Sequence, residues 1–366
     1  MVIIYNKVIR PIFFLFEPEF IHNLALWYLS WFSKYQPLNK LMFRACNYTS
    51  DRLRQKIWGL YFRNPVGLAA GMDKNASATN AWSAMDFGWA QIGSVTDQAQ
   101  PGNKKPRLWR LPKDKGLVVY YGLSNIGAKK IAKKIKKDRQ ENDRGMISIS
   151  IAKSSAVSRE EAAADYARSF ATLEPVADII TINLSCPNVK DFSGLQNKKY
   201  LEPILEKVIP LNKNKKPIWL KIGNNLSKEQ LDEIIYLVKK YQIAAVVASN
   251  LSKQRDHLNL QSKYKDKPGG VSGKAIAPQA NKIIAYLYKH SEGKYKIVGV
   301  GGIFDGRDAY DKIKAGADLV QLITGFIYNG PSSIKVINKE LDHLLTKDNF
   351  KHISQAIGKE ANEYTL

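Results

Sequence analysis

From Asn64 onward the chain repeats one unit: a short β-branched or apolar run, a polar loop, then a helical pattern. The runs fall at 66–70, 90–95, 147–151, 178–183, 217–222, 244–249, 296–300 and 318–323, with helical periodicity between them, for example over 159–173, 227–241 and 305–314. Fully apolar runs of this length read as strands buried on both faces, and strands alternating with helices read as a parallel sheet. None of the eight opens into a GxGxxG dinucleotide turn, which favours a closed (β/α)8 barrel, the TIM barrel, over an open doubly wound sheet. At 366 residues the chain has room for a barrel of about 250 residues plus additions. One addition is the tract around 97–125, with RLWRL and LVVYY, which reads as a hairpin inserted near the barrel mouth.

The other addition is at the front. Residues 1–45 place Phe, Trp, Tyr and Leu at helical spacing between Pro11, Pro18 and Pro37. Pro18 suits a first helical turn and Pro37 a stop, so two short helices with a bend are expected. Phe20, Leu24, Trp27, Tyr28 and Trp31 make the second one apolar around most of its circumference. Such a helix either packs on the barrel or lies on a membrane surface.

In a barrel the chemistry sits where strands end. Those ends read AAGMDK (69–74), IGSVT (92–96), ISIAK (149–153), NLSCPN (183–188), LKIG (220–223), ASN (248–250), GVGGI (299–303) and ITG (323–325). Gly301 and Gly302 with Thr324 and Gly325, after the seventh and eighth strands, suit a phosphate, because backbone amides approach it most closely at glycine. Lys74, Lys153 and Lys221 would converge on the mouth, and without carboxylate partners they call for an anion. Asn183, Asn188 and Asn250 offer both donors and acceptors and suit an amide-rich heterocycle. Cys186 precedes a proline on a strand-end loop facing those lysines, which favours a reactive thiol; with no His at any strand end it is also the candidate general base.

The totals exclude other classes. Two cysteines, Cys46 and Cys186, form no CxxC pair or disulfide framework, and the five histidines show no metal spacing, so no metal site is expected. A reducing compartment follows as the default. No apolar run is long enough to span a bilayer, and no signal-peptide pattern opens the chain. Lys and Arg outnumber Asp and Glu by 56 to 33, a net +23 that favours anionic partners. Much of the excess lies in lysine runs at 129–137 and 213–216, which read as solvated helix faces or loops.

Taken together, GLAAGMDKN, QPGNKKPRLWRL, NLSCPN, GGVSGK, IVGVGGI and TGFIYNGP, in this order from Asn64 to about Pro331, resemble the flavin-dependent dihydroorotate dehydrogenases. The aromatic front, with its EPE run and His22, resembles the membrane-docking, quinone-admitting extension of the class 2 branch. The resemblance implies an FMN-binding barrel over 46–366, with residues 1–45 giving access to membrane and quinone. It implies FMN phosphate at Gly273, Gly302, Ile323 and Thr324. Ala70, Gly71, Lys74, Ser94, Ser150, Asn183, Lys221 and Ser249 would surround the rest. Lys221 would stabilise negative charge on reduced flavin. Lys74, Asn183, Asn188 and Asn250 would hold a dihydropyrimidine, hydride passing from its carbon-6 to the flavin while Cys186 removes the carbon-5 proton and quinone reoxidises the flavin. Pyrimidine biosynthesis at the cytoplasmic side of the cell membrane follows, with no nucleic acid expected.

The chain also departs from that pattern. Cys186 is the base of the class 1 branch, where class 2 uses serine. The loop that reads NRxGFN in class 2 is VYYGLS here, placing Val119 where a ring-binding asparagine is expected. Ser150 replaces a flavin-contacting asparagine, Ala152 a glycine and Leu251 a hydroxyl residue. Two alternatives fit the sequence as well: a tRNA-dihydrouridine synthase, also an FMN barrel with a Cys-Pro after a strand-end asparagine, and a flavin-binding paralogue that no longer uses dihydroorotate.

Overall fold

The computed structural model describes residues 2–32, 34–141, 145–185 and 193–366. Eight parallel strands close into a barrel: β1 Val66–Leu68, β2 Trp89–Val95, β3 Met146–Ile151, β4 Ile179–Asn183, β5 Ile218–Lys221, β6 Ala245–Ala248, β7 Lys296–Val300 and β8 Leu319–Leu322. Each expected run matches one of them, β2 and β3 starting one residue earlier than expected. Closure is made by β8 on β1, with Val320 opposite Val66 and Leu322 opposite Leu68. The strands are almost wholly buried, as a sheet covered on both faces requires.

The barrel interior is layered. At the lower end Phe62, Trp89 and Trp219 meet edge to face, Phe62 and Trp219 lying 5.4 and 5.9 Å from the Trp89 ring. Phe62 arrives on an antiparallel hairpin, Gln55–Ile57 with Leu60–Phe62, that plugs the barrel floor. Above it Gln91 donates to Ser148 Oγ (3.1 Å) and Thr181 Oγ1 (2.7 Å), a polar layer that satisfies its own hydrogen bonds. The mouth lies above that layer.

Within the inserted tract, Leu108–Leu111 pairs antiparallel with Gly116–Val119. A third strand, Gly270–Gly273, joins its other edge, with Val271 opposite Val118. The periodicity did not announce that strand.

The N-terminal segment is helical over Arg10–Leu15, Pro18–Phe32 and Gln36–Cys46. Pro18 opens its helix as expected. Pro37, expected as a stop, instead lies in the first turn of a third helix, where its missing N–H costs no helical hydrogen bond. Helix Pro18–Phe32 is tied to the insert by a buried ion pair: Arg107 Nη2 donates to Glu19 Oε1 at 2.8 Å and Nε to Oε2 at 3.1 Å. The remaining Arg107 nitrogen donates to the carbonyls of Pro101 (2.8 Å) and Asn103 (2.9 Å). Burial would raise the Glu19 carboxyl, but the Arg107 hydrogen bonds and charge, helped by Lys105, hold it below the usual range.

Candidate active site

A cavity of about 1200 Å³, counting the part open to solvent, occupies the barrel mouth beneath the insert and helix Pro18–Phe32. The strand ends supply it in order. Ala70, Gly71 and Lys74 come from the loop after β1, Ser94 from β2, Asn183 from β4 and Lys221 from β5. Ser249 and Asn250 follow β6, Gly302 follows β7, and Ile323 and Thr324 follow β8; Gly273 comes from the insert's third strand. The peptide bonds Gly93–Ser94 and Ala248–Ser249 at this rim are cis.

Register explains the central pair. Asn183 and Lys221 are opposite each other at the ends of β4 and β5, so both side chains reach the cavity together. Asn183 Nδ2 donates to Ser94 Oγ (2.9 Å) while its Oδ1 accepts from the Ser185 N–H (3.2 Å). Asn250 is held the same way, donating to the Ser185 carbonyl at 2.8 Å and accepting from the Leu251 N–H at 2.9 Å. Ser249 Oγ donates to Asn224 Oδ1 at 2.5 Å, and the buried Asn224 Nδ2 has no partner among the described residues.

Lys221 is the electrostatic centre. Its side chain is 5% exposed, and among the described residues no acid or hydrogen-bond acceptor meets its ammonium. Burial alone pulls its pKa from 10.5 to about 8. Lys74 is also pulled to about 8 by burial, against the opposing pull of Glu19. Its ammonium sits 3.8 Å from the centre of the Tyr121 ring and 3.5 Å from His22 Nε2. Burial, then the Lys74 charge, depresses His22 well below the ordinary imidazole range, so it stands neutral beside the ammonium.

At the opposite end, Gly302 (φ +76°) and Gly273 (φ +108°) adopt backbone conformations that favour glycine, and Ser272 Oγ lies 2.9 Å from Thr324 Oγ1. Two φ-positive glycines and a hydroxyl pair in one corner form a concave, donor-rich surface of the kind that holds phosphate.

Not every expected residue converges here. Lys153 turns away, donating to the carbonyls of Ser154 (3.1 Å) and Val157. Its buried side chain stabilises the loop after β3. Ser150 reaches the cavity only through Ser94, whose hydroxyl is 2.8 Å from its own. Cys186 and Asn188 lie outside the described residues. Val119, Leu251 and Leu123 do line the cavity, so its wall on the insert side is apolar.

His22 and Tyr121 are among the contributors that strand-end reasoning could not find, because they come from the N-terminal helix and the insert. The only signal for His22 was the EPE run just ahead of it.

The model of the dihydroorotate dehydrogenase family matches residues 52–345. The chain belongs to that family. A dihydroorotate dehydrogenase (quinone) of Crocosphaera subtropica is 42% identical over 322 residues, spanning 86% of this chain and 85% of that one. The protein of the same name from Nostoc punctiforme is 37% identical over 98% of both chains. Among solved structures, the Eimeria tenella dihydroorotate dehydrogenase in complex with ferulenol superimposes with a TM-score of 0.84 at 28% identity, covering 94% of this chain and 95% of that one. The family match disfavours the tRNA-dihydrouridine synthase alternative.

Proposed function

We propose that the chain oxidises dihydroorotate to orotate for pyrimidine biosynthesis, with FMN at the barrel mouth and a quinone as electron acceptor. The observation that carries this reading is Lys221, a buried cation with no acid partner among the described residues, set beside Asn183 in the cavity at the barrel mouth. A ligand that supplies the opposite charge offsets the desolvation cost of such a group.

The residues fit FMN. Gly273, Gly302, Ile323 and Thr324 would take its phosphate, and Ala70, Gly71, Lys74, Ser94, Asn183 and Ser249 would enclose the rest. Ser150 would act at one remove by holding Ser94. Bound there, FMN would supply the two-electron acceptor for the substrate and the electron donor for the quinone. Lys221 would stabilise negative charge as the site is reduced. Asn183 and Asn250, each locked by backbone partners, would present amides to the pyrimidine ring with Asn188, and Lys74 would offer it a positive charge. Cys186, directly after Ser185 in the chain, would remove the carbon-5 proton; a thiol needs a lowered pKa for this, which nearby cations supply. Quinone would arrive past helix Pro18–Phe32, where His22 and Tyr121 meet the cavity. That helix exposes Phe20, Leu24, Trp27, Tyr28 and Trp31, an apolar surface suited to peripheral docking on the cytoplasmic side of the cell membrane. No helix among the described residues is long and apolar enough to cross a membrane.

Purified protein carrying flavin, mixed anaerobically with dihydroorotate, should lose its visible flavin absorption. Persistence of that absorption would remove dihydroorotate as substrate, and the apolar wall at Val119 and Leu251 would then point to another dihydropyrimidine. In Cys186→Ala the bleaching should slow by roughly 10²–10⁴-fold, the usual contribution of a general base; an unchanged rate would exclude Cys186 from that role.

A further inference from the structure

The lysine-rich helix Ala128–Glu141 has no part in the chemistry above. Its sequence AKKIAKKIKKDRQE buries Ala128, Ile131 and Ile135 in one stripe and leaves Lys129, Lys130, Lys133 and Lys136 exposed. Neighbouring lysines three and four apart, such as Lys129 with Lys133 and Lys130 with Lys133, repel along the helix surface. Among the described residues no carboxylate comes within ion-pair distance of Lys104, Lys129, Lys130 or Lys133. A helix face of one sign that opposes its own stability is suited to an external polyanion.

Its position narrows the partner. As the crossover between β2 and β3, the helix begins at the mouth end of the barrel. Just before it, the Ile126 N–H donates to Asn75 Oδ1 (3.1 Å), and within it Lys134 Nζ donates to the Asn75 carbonyl (3.2 Å). Asn75 follows Lys74, whose ammonium meets His22, and helix Pro18–Phe32 packs on the adjoining helix Thr79–Ala84. One short segment of chain therefore separates the lysine face from the aromatic helix. Lys104 and Lys105 stand exposed on the loop into the insert, with Lys105 Nζ 3.5 Å from Glu19 of that same helix. Trp27 is 66% exposed and Leu24 43%. A nucleic acid would neutralise the lysines and leave this apolar surface wet, whereas a bilayer covers both at once.

We propose that Lys104, Lys129, Lys130 and Lys133 form an anionic-phospholipid rim that makes docking selective for an acidic leaflet. The proposal rests on the membrane reading above and adds to it the headgroup class. Each lysine near such a surface contributes about 1 kcal/mol, or roughly fivefold in partition. The full chain is sedimented with vesicles of phosphatidylcholine alone and with phosphatidylglycerol added. The acidic lipid should raise binding on the order of a hundredfold at low salt, and high salt should abolish the gain. The combined Lys104→Gln, Lys129→Gln, Lys130→Gln, Lys133→Gln variant should lose that gain while keeping its binding to the neutral vesicle, its melting temperature and its dye-coupled turnover. The corresponding arginine variant should keep the gain. Equal binding to both vesicles, a preference that survives in the glutamine variant, or displacement of the chain from acidic vesicles by tRNA would overturn the rim and leave docking intact. Failure to bind either vesicle would overturn docking itself, and the rim with it.

Discussion

Lys221 shows how one side chain links stability to ligand. Its folded pKa of about 8 lies below the ordinary 10.5, so the folded state disfavours the charged form. The cost is fully present below pH 8 and is relieved as pH rises through 8 to 10.5, because the unfolded chain then holds the proton that the folded one has released. Ligand-free Lys221→Met should therefore be more stable than the parent by ~3 kcal/mol at neutral pH, with the difference shrinking toward pH 10.5 in urea titrations. A gap independent of pH would mean that the ammonium already has a partner. The same residue marks how much of the site is legible in the sequence. Lys221 and Asn183 were legible because a parallel strand that ends in a polar residue has one place to put it. Lys153 was misread by the same logic: the position just past β3 begins the loop, and two nearby carbonyls capture its ammonium. Val119 was visible as a departure, but only register puts it in the cavity wall.

At the scale of elements, the N-terminal helix is held to the barrel by Glu19 and Arg107, 88 positions apart. Both are buried, so removing one leaves the other uncompensated, at about 3–5 kcal/mol. Glu19→Ala should lower the melting temperature and speed proteolysis between residues 10 and 35. Unchanged cleavage would show that packing alone holds the helix. The eight barrel strands were legible because each is an apolar run bounded by turn residues. The strand Gly270–Gly273 was not, since GVSG has two glycines and no alternation, and it exists only because the insert offers an edge. The floor hairpin was missed for a related reason: its strands are three residues each and its turn is Trp58–Gly59, with φ positive at both. Strands this short acquire identity from what they pair with, and propensity says little about them.

For the whole molecule, the aromatic floor fixes how the barrel can close. A Cβ on Gly67 would sit 2.2 Å from the Trp89 indole, which is itself wedged between Phe62 and Trp219. Gly67→Ala should cost about 1–3 kcal/mol as an overpacked core, read as a lower denaturation midpoint with unchanged slope. A neutral result would mean the floor can shift as a unit. Closure has a further consequence in time. The first strand completes its pairing only with Val320, so during synthesis its free edge waits for about 250 more residues, on the order of tens of seconds at the ribosome. Arg107 is made early in that interval, but the mouth on which the aromatic helix rests is not finished until β8 is made. The apolar surface of that helix is thus made well before the barrel that supports it is complete, and whatever shelters it in the meantime, chaperone or membrane, has an early hold on where the enzyme ends up.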